Sequence, residues 1–168
     1  MPGHPPWTCD TCGNAITSIE DGWVEWLTRG DPAQVANWHI GSNRDLRLVH
    51  HRNASPYADR KNACYHNEEH WFAIDGSTVS DLPLSSFVEA DGLMVLLGFL
   101  SDTRFSEPEE VLEMIKRIHI NDYEQARLSF DSAISDGAFE PNTPPRYYKQ
   151  SDIEATLAWL EEQQHDHR

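Results

Sequence analysis

The chain contains no apolar run near the roughly 18 to 20 residues that span a bilayer. Its first residues carry no basic segment leading into an apolar stretch, so neither a membrane span nor a secretory leader is expected. It also lacks a glycine-rich phosphate loop, a dinucleotide fingerprint and a GxSxG elbow, which sets aside nucleotide-dependent and serine-hydrolase chemistry of those kinds. Cysteine is scarce. Cys9, Cys12 and Cys64 are an odd number with two spaced as CxxC, which fits metal binding in a reducing compartment better than a disulfide framework. The expected location is cytoplasmic.

Positive charge is scarce too. Thirteen Lys and Arg face 28 Asp and Glu, a net charge of −15. Nucleic-acid affinity comes largely from neutralised phosphates, so a binder should show a basic face. The only basic concentration is Arg44, Arg47, Arg52, Arg60 and Lys61, diluted by Asp45 and Asp59. The field of the whole molecule opposes direct nucleic-acid binding there. The imbalance is also uneven. Residues 1–75 hold ten acids against six Lys or Arg, and residues 76–168 hold eighteen against seven.

What is present suffices for a core. With 168 residues, 39% hydrophobic content, six Trp, six Phe and five Tyr, the chain suits one domain or two small halves sharing an interface. Cys9 to Gly13 reads as a zinc knuckle, a tight turn presenting two thiolates to one metal. Residues 22–27 and 45–51 read as two antiparallel strands, with a short helical turn at 32–37 between them. Residues 70–74 read as a third short strand closed by Asp75-Gly76. After Pro83 the pattern becomes helical. One segment ends near Leu100, capped by Ser85 or Ser86, with Asp91-Gly92 as a breakpoint. Capping boxes at Ser106–Glu109, Asn121–Glu124 and Ser151–Glu154 open helices running to about residues 118, 135 and 164. The expected fold class is α+β: a zinc-held β module of residues 1–80, ribbon-like or treble-clef-like, packed on an acidic helical bundle of residues 81–168.

Zinc takes four ligands in a tetrahedron and favours thiolate and imidazole. The sequence offers Cys9, Cys12 and Cys64 with His51 as the fourth ligand and His50 as its substitute. Four protein donors would make a closed, structural site. Three other patterns compete with weaker support. An HNH-type nuclease would use His50 or His51 as base with Asn62 and His66, but a second CxxC is missing. His66-Asn-Glu-Glu69-His70 matches an inverted metalloprotease pattern, yet Trp71 to Gly76 is expected to end any helix there. The helices at 107–118 and 122–135 could pass for a helix-turn-helix, but acids on the second would repel phosphate.

The residues from Pro6-Trp-Thr-Cys to Ala138-Phe, including Gly22-Trp-Val-Glu-Trp-Leu and Tyr123-Glu-Gln-Ala-Arg, resemble small bacterial proteins of unassigned function with an N-terminal zinc knuckle. That resemblance implies a zinc-held fold and no particular activity. The expected function is a non-enzymatic, zinc-stabilised interaction or regulatory protein whose partner has a basic surface, for example an inhibitor of a nucleic-acid machine. The alternatives are a metal-dependent HNH-like nuclease and an acidic DNA mimic.

Overall fold

A computed structural model describes residues 6–29, 42–56 and 64–166; the helical turn expected at 32–37 lies outside them. The knuckle comes first. β1 (Trp7–Thr8) and β2 (Ala15–Ile16) pair antiparallel, and Cys9 to Asn14 form the turn between them. Cys9 N–H donates to Asn14 O and Gly13 N–H to Cys9 O. Gly13 closes the turn at φ 72°, a conformation open to a residue without Cβ.

β3 (Gly22–Arg29) and β4 (Asn43–His50) form the expected antiparallel pair, with Val24 opposite Leu48 and Trp23 opposite Val49. The register shifts between Glu25 and Leu27, and Asp45 on the bulged strand takes φ 56°. The third strand is not at 70–74. Those residues belong to α1 (Glu68–Asp75), where the Asn67 side chain accepts the His70 N–H and Gly76 ends the helix at φ 74°. Phe72 and Ile74, the residues that made the segment look like a core strand, are 62% and 59% exposed. The third strand is β5 (Ser77–Pro83), which pairs antiparallel with β3 to give the order β4-β3-β5. The division expected at residue 80 therefore falls inside a strand.

β3 is the middle strand and is covered on both faces: Val24, Glu25, Trp26 and Leu27 are all buried. Both outer edges of the sheet are blunted. On β4, Asn43 bridges to Phe105, Leu46 N–H donates to Glu110, and Leu48 N–H donates to Asp10. On β5, Ser77 N–H donates to Asp75 and Val79 N–H to Glu68. Carboxylates thus occupy hydrogen-bonding positions that a neighbouring strand would otherwise fill.

The helical part follows. α2 (Glu89–Ser101) runs through Gly92 without a break. A Cβ at Gly92 would lie 2.0 Å from the Phe87 carbonyl carbon, so glycine is required by close approach rather than as a helix breaker. α3 (Pro108–His119) starts with proline in its first turn, with Glu107 at the cap and no side-chain capping bond. The helix expected at 122–135 is two: α4 (Tyr123–Ala126) and α5 (Phe130–Ser135), separated at Arg127–Ser129. α6 (Gln150–Asp166) is entered through Lys149 N–H donating to Asp152. None of the three capping boxes forms as such, and Glu124 has a different role described below.

The main core joins both halves. Trp7, Ile16, Val24, Leu46 and Leu48 pack in one cluster with Phe87, Leu96, Val111, Met114 and Ile118. A smaller cluster of Tyr123, Ala126, Phe130 and Ile153 holds α4, α5 and α6 together. No helix among the described residues is long and apolar enough to cross a membrane.

Candidate metal centre

Two elements and one loop converge on a single point. The knuckle brings Cys9 and Cys12, the end of β4 brings His50, and the segment leading to α1 brings Cys64. One ligand atom from each lies within 4.8 Å of all the others. Among the described residues the three cysteines are free, with no disulfide. Cys9, His50 and Cys64 are buried and Cys12 is partly exposed.

The choice between the two histidines follows from the strand. His50 shares a face with Leu46 and Leu48, which turn into the core, so its ring points inward to the thiols. His51 follows it on the opposite side. Its ring lies 5.2 Å from Trp23, and its Nδ1 accepts from Asn53 N–H at 3.4 Å. The structure thus brings the substitute, His50, into the cluster and leaves His51 out.

The His50 ring is oriented for coordination. Its Nε2 is 3.0 Å from Ala15 O. A carbonyl can only accept, so Nε2 carries the proton and Nδ1 presents its lone pair. Nδ1 is 3.4 Å from Cys12 Sγ and 3.9 Å from Cys64 Sγ. A tetrahedral zinc would set a sulfur and a nitrogen ligand about 3.6 Å apart, close to both of these spacings. Ser55 Oγ lies 3.3 Å from Cys64 Sγ, and Thr11 Oγ1 donates to Cys64 O at 2.6 Å, tying the third cysteine to the knuckle. The donor set could hold a divalent metal ion.

Burial pushes the Cys9 thiol up to about 12 and also raises Cys64. Burial acts upward on Cys12 as well, but hydrogen bonds from the Asn14 backbone and the neighbouring thiols outweigh it and hold that thiol below its ordinary value. Without a metal, Cys9 and Cys64 are therefore neutral near pH 7. A metal cation would have to displace their protons.

A second polar cluster sits behind the centre. Asp10, between the two knuckle cysteines, gives its carboxylate to Leu48 N–H and to Arg117 Nη1, at 2.8 and 2.7 Å. Arg117 reaches it from α3 and is itself buried. The same guanidinium donates to Glu124 through Nε and Nη2 and to Thr8 O, while Thr8 N–H donates back to Glu124. Sequence reasoning missed Asp10, Arg117 and Glu124. The only available signal was an acid lodged inside CxxC. Nearby, Glu25 is fully buried on β3, paired with Arg47 and accepting His66 N–H. Burial and the Arg47 charge hold the His66 imidazole down at about 4, so it is neutral at pH 7.

The inverted metalloprotease pattern does not assemble on one helix. His66 precedes α1 and His70 lies on it, exposed against Trp71, so the HxxEH residues do not share a helix face. Asn62 lies outside the described residues. Two acids of the helical part are engaged within the chain: Glu110 accepts Leu46 N–H, and Glu113 pairs with Lys116 and accepts the Tyr123 hydroxyl. No protein-family model, curated protein or solved structure gives a significant match to this chain.

Proposed function

We infer that Cys9, Cys12, His50 and Cys64 hold one structural zinc ion, and that the protein is a non-enzymatic interaction module. The observation that carries this reading is a four-donor set closed by protein atoms, with three of its members buried. Thiolate and imidazole donors favour zinc, and four protein ligands leave no position for a reactive water. Partner chemistry follows from charge. Glu107, Glu109, Asp131, Glu154, Glu161 and Glu162 are exposed on the helical part, which suits a basic protein surface and opposes phosphate.

Elemental analysis of protein purified without chelator tests the site and should find one zinc per chain. A metal-free protein with three freely titrating thiols in its folded state would overturn it. A nuclease assay with magnesium or manganese tests the other half of the reading. Cleavage lost in His51→Ala, with zinc and fold intact, would replace the interaction module with an enzyme.

A further inference from the structure

The metal centre and the helical part are joined by one chain of charged contacts. Asp10 is flanked in sequence by Cys9 and by the Thr11-Cys12 pair, so the turn that positions two thiolates also positions its carboxylate. That carboxylate holds both ends of a bridge: Leu48 N–H on β4, two residues before the ligand His50, and Arg117 on α3. Arg117 and Glu124 are both buried, and the Thr8 backbone closes the ring from the knuckle side by accepting from one and donating to the other. Arg127 approaches from beyond α4, 2.8 Å from Glu124 and 3.7 Å from Asp10. Among the described residues, no other set of ion pairs connects the knuckle to the helices.

Resting on the zinc reading above, we propose that metal occupancy is transmitted through Asp10 to Arg117 and Glu124, so that the centre governs how α3 and α4 dock on the knuckle. With metal bound, Cys9 and Cys12 are fixed and Asp10 stays between Leu48 and Arg117. Without it, the thiols no longer pin the turn on either side of Asp10, and that carboxylate is left to its bonds with Leu48 and Arg117 and to the Asp10 N–H on Leu48 O. A displaced Asp10 leaves a buried guanidinium with one carboxylate partner instead of two, and the α3–α4 junction loosens. The metal is then a switch for the acidic part of the molecule as well as a staple for its β part.

Hydrogen exchange on the full chain, zinc-loaded and chelated, reads this directly. In wild type, chelation should lower protection of residues 117–127 by about tenfold together with that of 9–16, while α2 and the β3–β5 pairing keep theirs. Asp10→Asn retains an acceptor for Leu48 N–H but loses the charge facing Arg117. It should still bind one zinc, and the loss at 117–127 should shrink to within about twofold. Coupling is reciprocal, so Glu124→Gln, which touches no ligand, should raise the zinc Kd by about tenfold in competition with a chromophoric chelator. If chelation strips the metal and unprotects 9–16 while 117–127 stays unchanged, the coupling is overturned and the zinc reading stands. Simultaneous loss in every element overturns it too, because the metal would then support the whole core. Absence of bound zinc overturns both.

Discussion

At the scale of single residues, the centre depends on one position along β4. The sequence offers His51 first and His50 as its substitute, since both end one apolar strand and both precede Cys64 at a workable spacing. The strand separates them by turning Leu46, Leu48 and His50 to one side, and Ala15 O then fixes the ring. His50→Ala should weaken zinc binding by more than about a hundredfold, and His51→Ala should leave it within about twofold, as measured by competition with a chelator. Protons give a second test. Cys9 and Cys64 stand above the ordinary thiol range in the metal-free site, so zinc must expel both of their protons, and a third if Cys12 is also protonated. Titration in buffers of different ionisation enthalpy should find between about two and three protons released per zinc near pH 7. Affinity should then fall by at least about a hundredfold for each pH unit of acidification. A pH-independent affinity would mean that the thiols are not the ligands.

At the scale of elements, what was legible depended on how each segment handles its apolar residues. β3 and β4 were readable because Trp-Val-Glu-Trp-Leu and Leu-Arg-Leu-Val are strand-like in composition and also buried. β5 was not, because Ser-Thr-Val-Ser-Asp-Leu-Pro is the polar sequence of an edge strand. α1 misled in the opposite sense: His-Trp-Phe-Ala-Ile is apolar enough for a strand, but Asn67 caps it as a helix and leaves Phe72 and Ile74 in solvent. Asn121-Asp-Tyr-Glu124 looked like a capping box because local sequence cannot reveal that Glu124 is claimed by Arg117. The two glycines of α2 show the same limit. Both replace a better helix former, at about 1 kcal/mol each by propensity alone. Gly98→Ala meets nothing within 4 Å and should stabilise by up to about that amount. Gly92→Ala drives a methyl into the Phe87 backbone, which cannot rotate away, and should destabilise by about 2 kcal/mol. Urea denaturation of the two variants checks the opposite signs.

At the scale of the whole molecule, the excess of acid divides into two populations. Asp10, Glu25, Glu110, Glu113 and Glu124 are used inside, in ion pairs or on backbone N–H groups. Glu109, Asp131, Glu154, Glu161 and Glu162 are exposed, and these are the residues to reverse when a partner is tested. The internal population has a consequence for the protein in acid. Glu110 is pushed up by burial, against its bond from Leu46, whereas Asp75 is held down by Ser77 and Arg44. On acidification Glu110 therefore loses its charge before Asp75 does, so the β4 margin loses one of its two ionised guards ahead of that residue on the β5 margin. A strand margin without its guard is a template for another chain. Incubation at falling pH should produce thioflavin-positive fibrils seeded along residues 43–50, and Glu110→Gln should bring their onset to higher pH. Amorphous precipitate with β4 still protected would show that the carboxylates are not what keeps these molecules from stacking.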